Sequence, residues 1–380
     1  MRAAHPLSHR VPPTLRRLSA LAAVVTLALT IGSCTTGKSD DDPVISSLNA
    51  QEADAAAPEN YRSVKDNGPL STASGTVVMS TSGKNGLKDT VTGDLTTTVV
   101  SRDPSTTRFQ WAVSIKPAVA DQERIEYTGS AQSAMSENMG RSSTGSAVVS
   151  PDGRYLSLFL LPAEQQSGET VADQHTHIIV LDTKTGKTVR DATVSRVVLG
   201  QALTNSALAV ETAQNYFPAG SGKGTITTFS LTDTSAQPSS FPTDKWLVGA
   251  TRENLVLAPD LVPDNCFDEC SMTTVSLINA DGTTAGSISG VAAVHHGGWI
   301  HRVADPKSGE QQLVNPSIKK TIDITGKRTF ERDVPTGPGL LVEQEVPTGN
   351  GSTESKPVFW LSSSDDGHPH TENLEQFSVH

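Results

Sequence analysis

Val149-Ser-Pro-Asp-Gly-Arg-Tyr-Leu156 and Val180-Leu-Asp-Thr-Lys-Thr-Gly186-Lys187 both fall within residues 145–195. Each is an apolar run, a polar turn containing glycine, and the start of a second run. Aspartate tolerates left-handed backbone and glycine adopts it without steric cost, so both read as hairpin turns. Two hairpins in one stretch make four strands.

Each signal recurs outward from that stretch. Val100, Val149, Val198, Val248, Val294 and Val334 each open a unit of strand, polar turn and strand, at intervals of 49, 49, 50, 46 and 40 residues. The second signal reappears as Leu277-Ile-Asn-Ala-Asp-Gly282, Ile322-Asp-Ile-Thr-Gly326 and Leu361-Ser-Ser-Ser-Asp-Asp-Gly367. Four strands per period is the plan of a propeller blade. A single blade exposes two apolar faces, so blades must stack, and closing the ring removes the free ends. Residues 75–380 are therefore expected to be all-β, a propeller of six to seven four-stranded blades. Six blades are counted directly. A seventh would draw strands from 75–95 and from the tail after Pro357, and Gly75–Ser80 could close the ring by joining the last blade. A pair of β-sandwiches is the rival architecture.

The Ser150-Pro-Asp-Gly153 turn and the Asp182-Thr-Lys-Thr-Gly186-Lys187 turn resemble the bacterial β-propeller repeats of the TolB and YVTN type. Only 145–195 carries both motifs; the other blades share the spacing alone. The resemblance implies a propeller over most of 75–380. Such propellers serve as binding scaffolds, periplasmic adaptors and, less often, enzymes, so the fold does not fix the function.

The N-terminus reads as an address. Residues 1–19 are polar with Arg16-Arg17 at their end, and Ala20–Ile31 is an apolar run. A basic region, a short apolar core and small residues describe an export signal. Twelve helical residues rise only about 18 Å, too little to span a membrane. Ile31-Gly32-Ser33-Cys34 resembles the bacterial lipobox, which implies cleavage after Ser33 and diacylation of Cys34, a palmitate-type anchor. The polar, acidic stretch 34–74 cannot bury enough apolar surface to offset its ordering entropy and is expected to be a disordered tether. Two acyl chains give stable anchoring. The expected location is the extracytoplasmic face of a bacterial cell membrane.

Composition excludes some partners. The chain has 380 residues, 36% hydrophobic and 19% charged, with formal net charge −11. Removing 1–33 takes Arg2, Arg10, Arg16 and Arg17 and no acid, leaving −15. So acidic a domain does not suit nucleic acid, which favours a basic face.

No coherent catalytic set, cofactor motif or metal-ligand pattern emerges. Outside the cytoplasm, the close pair Cys266 and Cys270 is expected to form a disulfide in a loop between the second and third strands of its blade. A redox-active pair would need C-x-x-C on a βαβ unit, which is missing. His175 with His177, and His368 with His370, have spacings that can chelate a metal, and His295, His296 and His301 cluster in sequence; the expected reading is solvated loop histidines, with no metal site. Asp260, Asp264, Asp268 and Glu269 match no EF-hand. Gly220-Ser-Gly-Lys223 lacks the first glycine and the hydroxyl residue of a P-loop. Ser317-Ile-Lys-Lys320 and Lys184-Thr-Gly186 stand in the wrong order for a penicillin-binding protein. Trp111, Trp246, Trp299 and Trp360 are expected in blade packing. The reading is a non-catalytic module that binds an envelope protein or glycan through loops at one end of the propeller. The alternative is an envelope hydrolase or lyase with its site in the channel.

Overall fold

A computed structural model describes residues 42–56, 70–82, 95–120, 146–162, 175–214, 224–259, 272–348 and 351–377. The chain divides into units 1–40 and 41–380; every described residue belongs to the second. Cys34, Cys266 and Cys270 lie outside the described residues, as do the acidic residues 260–269 and the Gly220–Lys223 segment.

The second unit is built from antiparallel sheets that follow one another along the chain. Blade 1 comprises β2 (Leu70–Ser71), β3 (Thr76–Ser82), β4 (Thr96–Arg102) and β5 (Phe109–Lys116), with β1 (Val44–Leu48) added on the outer side of β5. Blade 2 is β6 (Ala147–Val149), β7 (Tyr155–Phe159), β8 (His175–Asp182) and β9 (Thr188–Ser195). Blade 3 is β10 (Val197–Leu203), β11 (Ala207–Ala213), β12 (Gly224–Ser230) and β13 (Ser239–Thr243). Blade 4 is β14 (Trp246–Ala250), β15 (Leu255–Ala258), β16 (Thr273–Ile278) and the first half of β17 (Thr284–His295). Blade 5 is the second half of β17 with β18 (Trp299–Asp305), β19 (Glu310–Asn315) and β20 (Lys320–Asp323). Blade 6 has β21 (Arg328–Val334), β22 (Gly337–Pro347) and β23 (Thr353–Ser362), and a bridge from Trp360 to His370 stands in for its fourth strand.

Blades 4 and 5 form one seven-stranded sheet because β17 runs through both. The strand turns at Gly290, whose φ of +70° brings its backbone against the Val303 carbonyl; a Cβ there would lie 2.3 Å from that oxygen. Only glycine meets both demands. The order within each blade is sequential, and each blade packs face to face on the next. Among the described residues that is a propeller of six blades and not a pair of sandwiches.

The cores sit in the seams. Val77, Met79, Val113 and Ile115 of blade 1 meet Leu156, Leu158, Ile179 and Leu181 of blade 2. Ile178 and Val180, on the opposite face of β8, meet Leu208 and Val210 of blade 3. The alternation follows from side chains pointing to opposite sides of a strand. Strands buried on both faces read as apolar runs, which is why RYLSLFLL and IIVL show no polar alternation. Blades 3, 4 and 5 continue the pattern, and Trp299, Leu313, Leu340, Val342 and Phe359 fill the seam between blades 5 and 6. Trp111, Trp246 and Trp299 are buried in these packings, and Trp360 is buried on the outer face of blade 6.

The seam between blades 6 and 1 is built differently. Among the described residues no apolar cluster spans it. The free face of blade 1, with Val100 and Ala112, is covered by Ala53 of the helix α1 (Ala50–Ala56) and by Leu48. The free face of blade 6, with Val334, Leu341 and Trp360, is covered by Leu374 and Phe377 from the chain's tail.

Three expectations change. Gly75–Ser80 does not join the last blade: β3 pairs with β2 and β4 inside blade 1. Val100 lies in the third strand of its blade, and the first turn of blade 1 is Thr72–Gly75. Within 34–74, expected to be a disordered tether, Val44–Ala56 instead folds onto blade 1. Its β1 pairs with β5 from Val44↔Lys116 to Leu48↔Ala112. The helix starts with a capping box, in which the Glu52 N–H donates to Asn49 Oδ1 at 3.0 Å and the Asn49 N–H to Glu52 Oε2 at 2.9 Å. Asp54 then pairs with Arg102. A polar composition hid these local devices.

Candidate functional site

At one end of the propeller the first turns of the blades gather into a hub. Thr72, Thr204 and Thr251 each open the turn between strands one and two of a blade. Each side-chain oxygen accepts from the backbone N–H three residues on, at 3.1, 2.9 and 2.9 Å. Ser150 plays a related part, its Oγ accepting from the Tyr155 N–H at 2.9 Å. The turns then touch in sequence around the axis. The Ala73 N–H donates to the Gly153 carbonyl at 3.0 Å and the Asn205 N–H to the Arg252 carbonyl at 2.9 Å. The Asp152 N–H donates to Asn205 Oδ1 at 3.1 Å. A Cβ at Gly298 would meet Thr251, one at Gly297 would meet Ser363 beside the blade 6 turn, and one at Gly337 would lie 2.9 Å from the Thr72 carbonyl oxygen. The contact from Gly337 back to Thr72 completes the circuit from blade 6 to blade 1. Arg252 reaches across the circuit to the Ser363 carbonyl at 2.8 Å.

Among the polar side chains buried in the seams, two groups hold an imidazole or a carboxyl. Between blades 5 and 6, His295 of β17 is 7% exposed. Thr329 Oγ1 lies 3.2 Å from its Nε2, and Glu331 Oε1 lies 3.5 Å from its Nδ1. Glu331 and Thr329 come from β21, the inner strand of blade 6, on the same face as Leu340 and Val342. His301 stacks on His295 with centroids 6.2 Å apart, and its Nε2 bonds Gln311 Oε1 at 3.0 Å. Burial, then the neighbouring His295, pushes the His301 pKa down to about 4, so its ring is neutral. The hydroxyl is hydrogen-bonded to one imidazole nitrogen, and the carboxylate faces the other at ion-pair distance. Thr329 is itself only 8% exposed and spends its hydroxyl tying the two blades.

The second group is Glu211 on β11, 1% exposed at the seam of blades 3 and 4. Oε2 accepts the Leu247 N–H at 2.9 Å, while Oε1 has no partner among the described residues. The missing side chain of Gly224 leaves room beside it, since a Cβ there would come within 3.1 Å of Oε1. Burial raises the Glu211 pKa to about 7, and the single N–H offsets only part of that.

The histidine pairs stay in separate blades. His175 and His177 do point to one face of β8, as their spacing implies. Their rings engage β9, His177 Nδ1 to Asp191 Oδ1 at 2.9 Å and His175 Nδ1 to Ser195 Oγ at 3.2 Å. The His296 side chain is outside those described. His368 meets His370 edge-on at 5.6 Å. Among the described residues no three His, Cys, Asp or Glu side chains converge in a metal-binding arrangement. Ser317 and Lys184 lie in turns of different blades. Sequence reasoning passed over Glu211, Thr329 and Glu331. Glu211 carried a legible signal: one carboxylate in Ala207–Ala213, whose other residues are small or apolar.

No family model matches the chain, and no curated protein matches it. The chain is similar to several solved structures at low identity. The β-propeller domain of the Trilobed protease from Pyrococcus furiosus is 13% identical, with TM-score 0.37 over 75% of this chain and 80% of that one. An acylaminoacyl peptidase from Pyrococcus horikoshii is 10% identical, with TM-score 0.35 over 76% of this chain and 50% of that one. TolB from Acinetobacter baumannii is 12% identical, with TM-score 0.29 over 77% and 65%. The protein is a β-propeller on the strength of its own sheet topology.

Proposed function

We propose that the chain is a lipid-anchored, extracytoplasmic binding module that holds an envelope protein or glycan at the propeller face opposite the hub. The hub carries this reading. Its turns touch one another from blade to blade at that end, and the His295 group is walled in between blades 5 and 6. Contact with a partner then falls to the connections between second and third strands, which leave the blades at the other face, and loops on a rigid scaffold suit recognition. The lipobox-like Ile31–Cys34 supplies the anchor.

A photo-crosslinking residue separates the two faces. Placed at Ser308, in the turn between β18 and β19, it should give adducts with an envelope partner in intact cells. Placed at Lys184, between β8 and β9 on the hub face, it should give none. Adducts from Lys184 alone would reverse the assignment of the binding face.

A further inference from the structure

The cover over the free face of blade 6 is held at one anchor, Trp360. Trp360 and His370 exchange both backbone hydrogen bonds at 2.9 Å. The indole Nε1–H donates to the Glu372 carbonyl at 3.0 Å. The His370 ring lies over the indole, centroids 4.0 Å apart and planes 12° from parallel. Beyond this anchor Leu374 and Phe377 pack with Phe330, Val334 and Leu341.

Both imidazole nitrogens face carboxylates. Nε2 is 2.7 Å from Asp365 Oδ2 and Nδ1 is 2.9 Å from Glu372 Oε1. A neutral imidazole carries one N–H, so only the imidazolium donates to both. Deprotonation leaves one carboxylate pointing at a ring lone pair.

We infer that residues 365–377 are a latch over the seam face of blade 6, closed while His370 is an imidazolium and loosened when it becomes neutral. Among the described residues, the other titratable and charged groups near the latch are His368, edge-on to the ring, Arg252, and Arg332, which shares the face of β21 with Phe330 and Val334. The Arg252 Nη2 donates to the Ser363 carbonyl at 2.8 Å and to the Asp365 carbonyl at 2.5 Å. Arg252 pins the root of the latch, so loosening begins at His370 and runs toward the tail. Burial alone would lower the His370 pKa, but its hydrogen bonds to Asp365 and Glu372, with their charges, outweigh burial and raise it above the ordinary 6.5. A raised pKa means the stabilisation is fully present below 6.5 and is lost as pH rises through the folded-state value. The latch therefore holds in acid and lets go on the alkaline side, baring Trp360 and Leu341.

Hydrogen exchange over residues 365–377, expressed as protection factors between pH 6 and 9, tests this. The measurement is made in the Glu211→Gln background, so that titration in the other seam is silent. Tail protection should fall with rising pH, by about tenfold for each unit by which the His370 pKa is raised, while strand 207–213 keeps its protection. Asp365→Asn and Glu372→Gln should each move the fall to lower pH, and the double variant furthest. His370→Phe keeps a ring on Trp360 and should give weak protection with no step. Tail protection that is flat with pH, or a step that neither carboxylate variant moves, would overturn the latch.

Discussion

Replacing Glu211 with Gln should make the protein more stable in mild alkali and leave it little changed in acid. The carboxyl is buried between blades 3 and 4 with one N–H partner, and its pKa is raised from 4.5 to about 7. Its folded-state pKa lies above the unfolded one, so folding binds the proton more tightly. Its contribution is fully present below pH 4.5 and is lost as pH rises through 7. At 1.36 kcal/mol per unit, that shift costs the wild type about 3 kcal/mol between pH 4.5 and 8.5. Glutamine fills the same volume, still accepts the Leu247 N–H, and does not titrate. Urea unfolding of both proteins at pH 5 and pH 8.5 reads the difference. The two should lie within about 1 kcal/mol at pH 5, and the variant should lead by roughly 3 kcal/mol more at pH 8.5. Parallel pH dependences in the two proteins would refute the argument, because they would mean that Glu211 is hydrated or paired in the folded ring.

Truncation to Ala57 removes β1 and α1 and bares Val100, Ala112 and the edge of β5; the melting temperature should fall by several degrees, where a disordered tether would leave it unchanged. Gly337→Val asks a β-branched residue to adopt φ +118° with a Cβ 2.9 Å from the Thr72 carbonyl oxygen. It should destabilise by about 2 kcal/mol or more, visible as a lower urea midpoint. Cys34→Ala should abolish incorporation of a fatty-acid analogue and release the protein from the membrane fraction; label retained in the variant removes the lipobox reading. Under non-reducing conditions Cys266 and Cys270 should resist alkylation and the intact mass should be two hydrogens short. Reduction should leave the domain folded, because so short a loop contributes only about 2 kcal/mol in the chain-entropy model.

Much of the architecture was legible because blade turns are written in local chemistry. Val149, Val248, Val294 and Val334 each lead into a first turn of a blade, Val198 stands instead at the start of its strand, and Gly186 and Gly282 sit in turns between third and fourth strands. Gly326 marks a link between blades, since composition does not distinguish a turn within a blade from one between blades. Blade 1 was misread for the same reason: its first strand has two residues, Leu70–Ser71, too short to show a pattern. The cover of blade 1 by β1 was illegible because strand pairing at an edge needs only backbone groups, which a polar sequence supplies as well as an apolar one. The seam residues failed for another reason. Thr329, Glu331 and His295 look like solvated β positions until the next blade buries them, and no single-chain pattern reports which blade that is.

Whether the ring closes is read most directly from Ala73. Its backbone and methyl touch Gly153 of blade 2, a contact that any stack of consecutive blades would make. Its Cα also lies 3.4 Å from the position a Cβ would take on Gly337 of blade 6, a contact that exists only in a closed ring. Nuclear Overhauser spectra of protein labelled selectively at glycine and alanine report both at once. The account predicts cross-peaks from Ala73 to Gly153 and to Gly337. A clear cross-peak to Gly153 with none to Gly337 would contradict it, leaving an open arc of six blades.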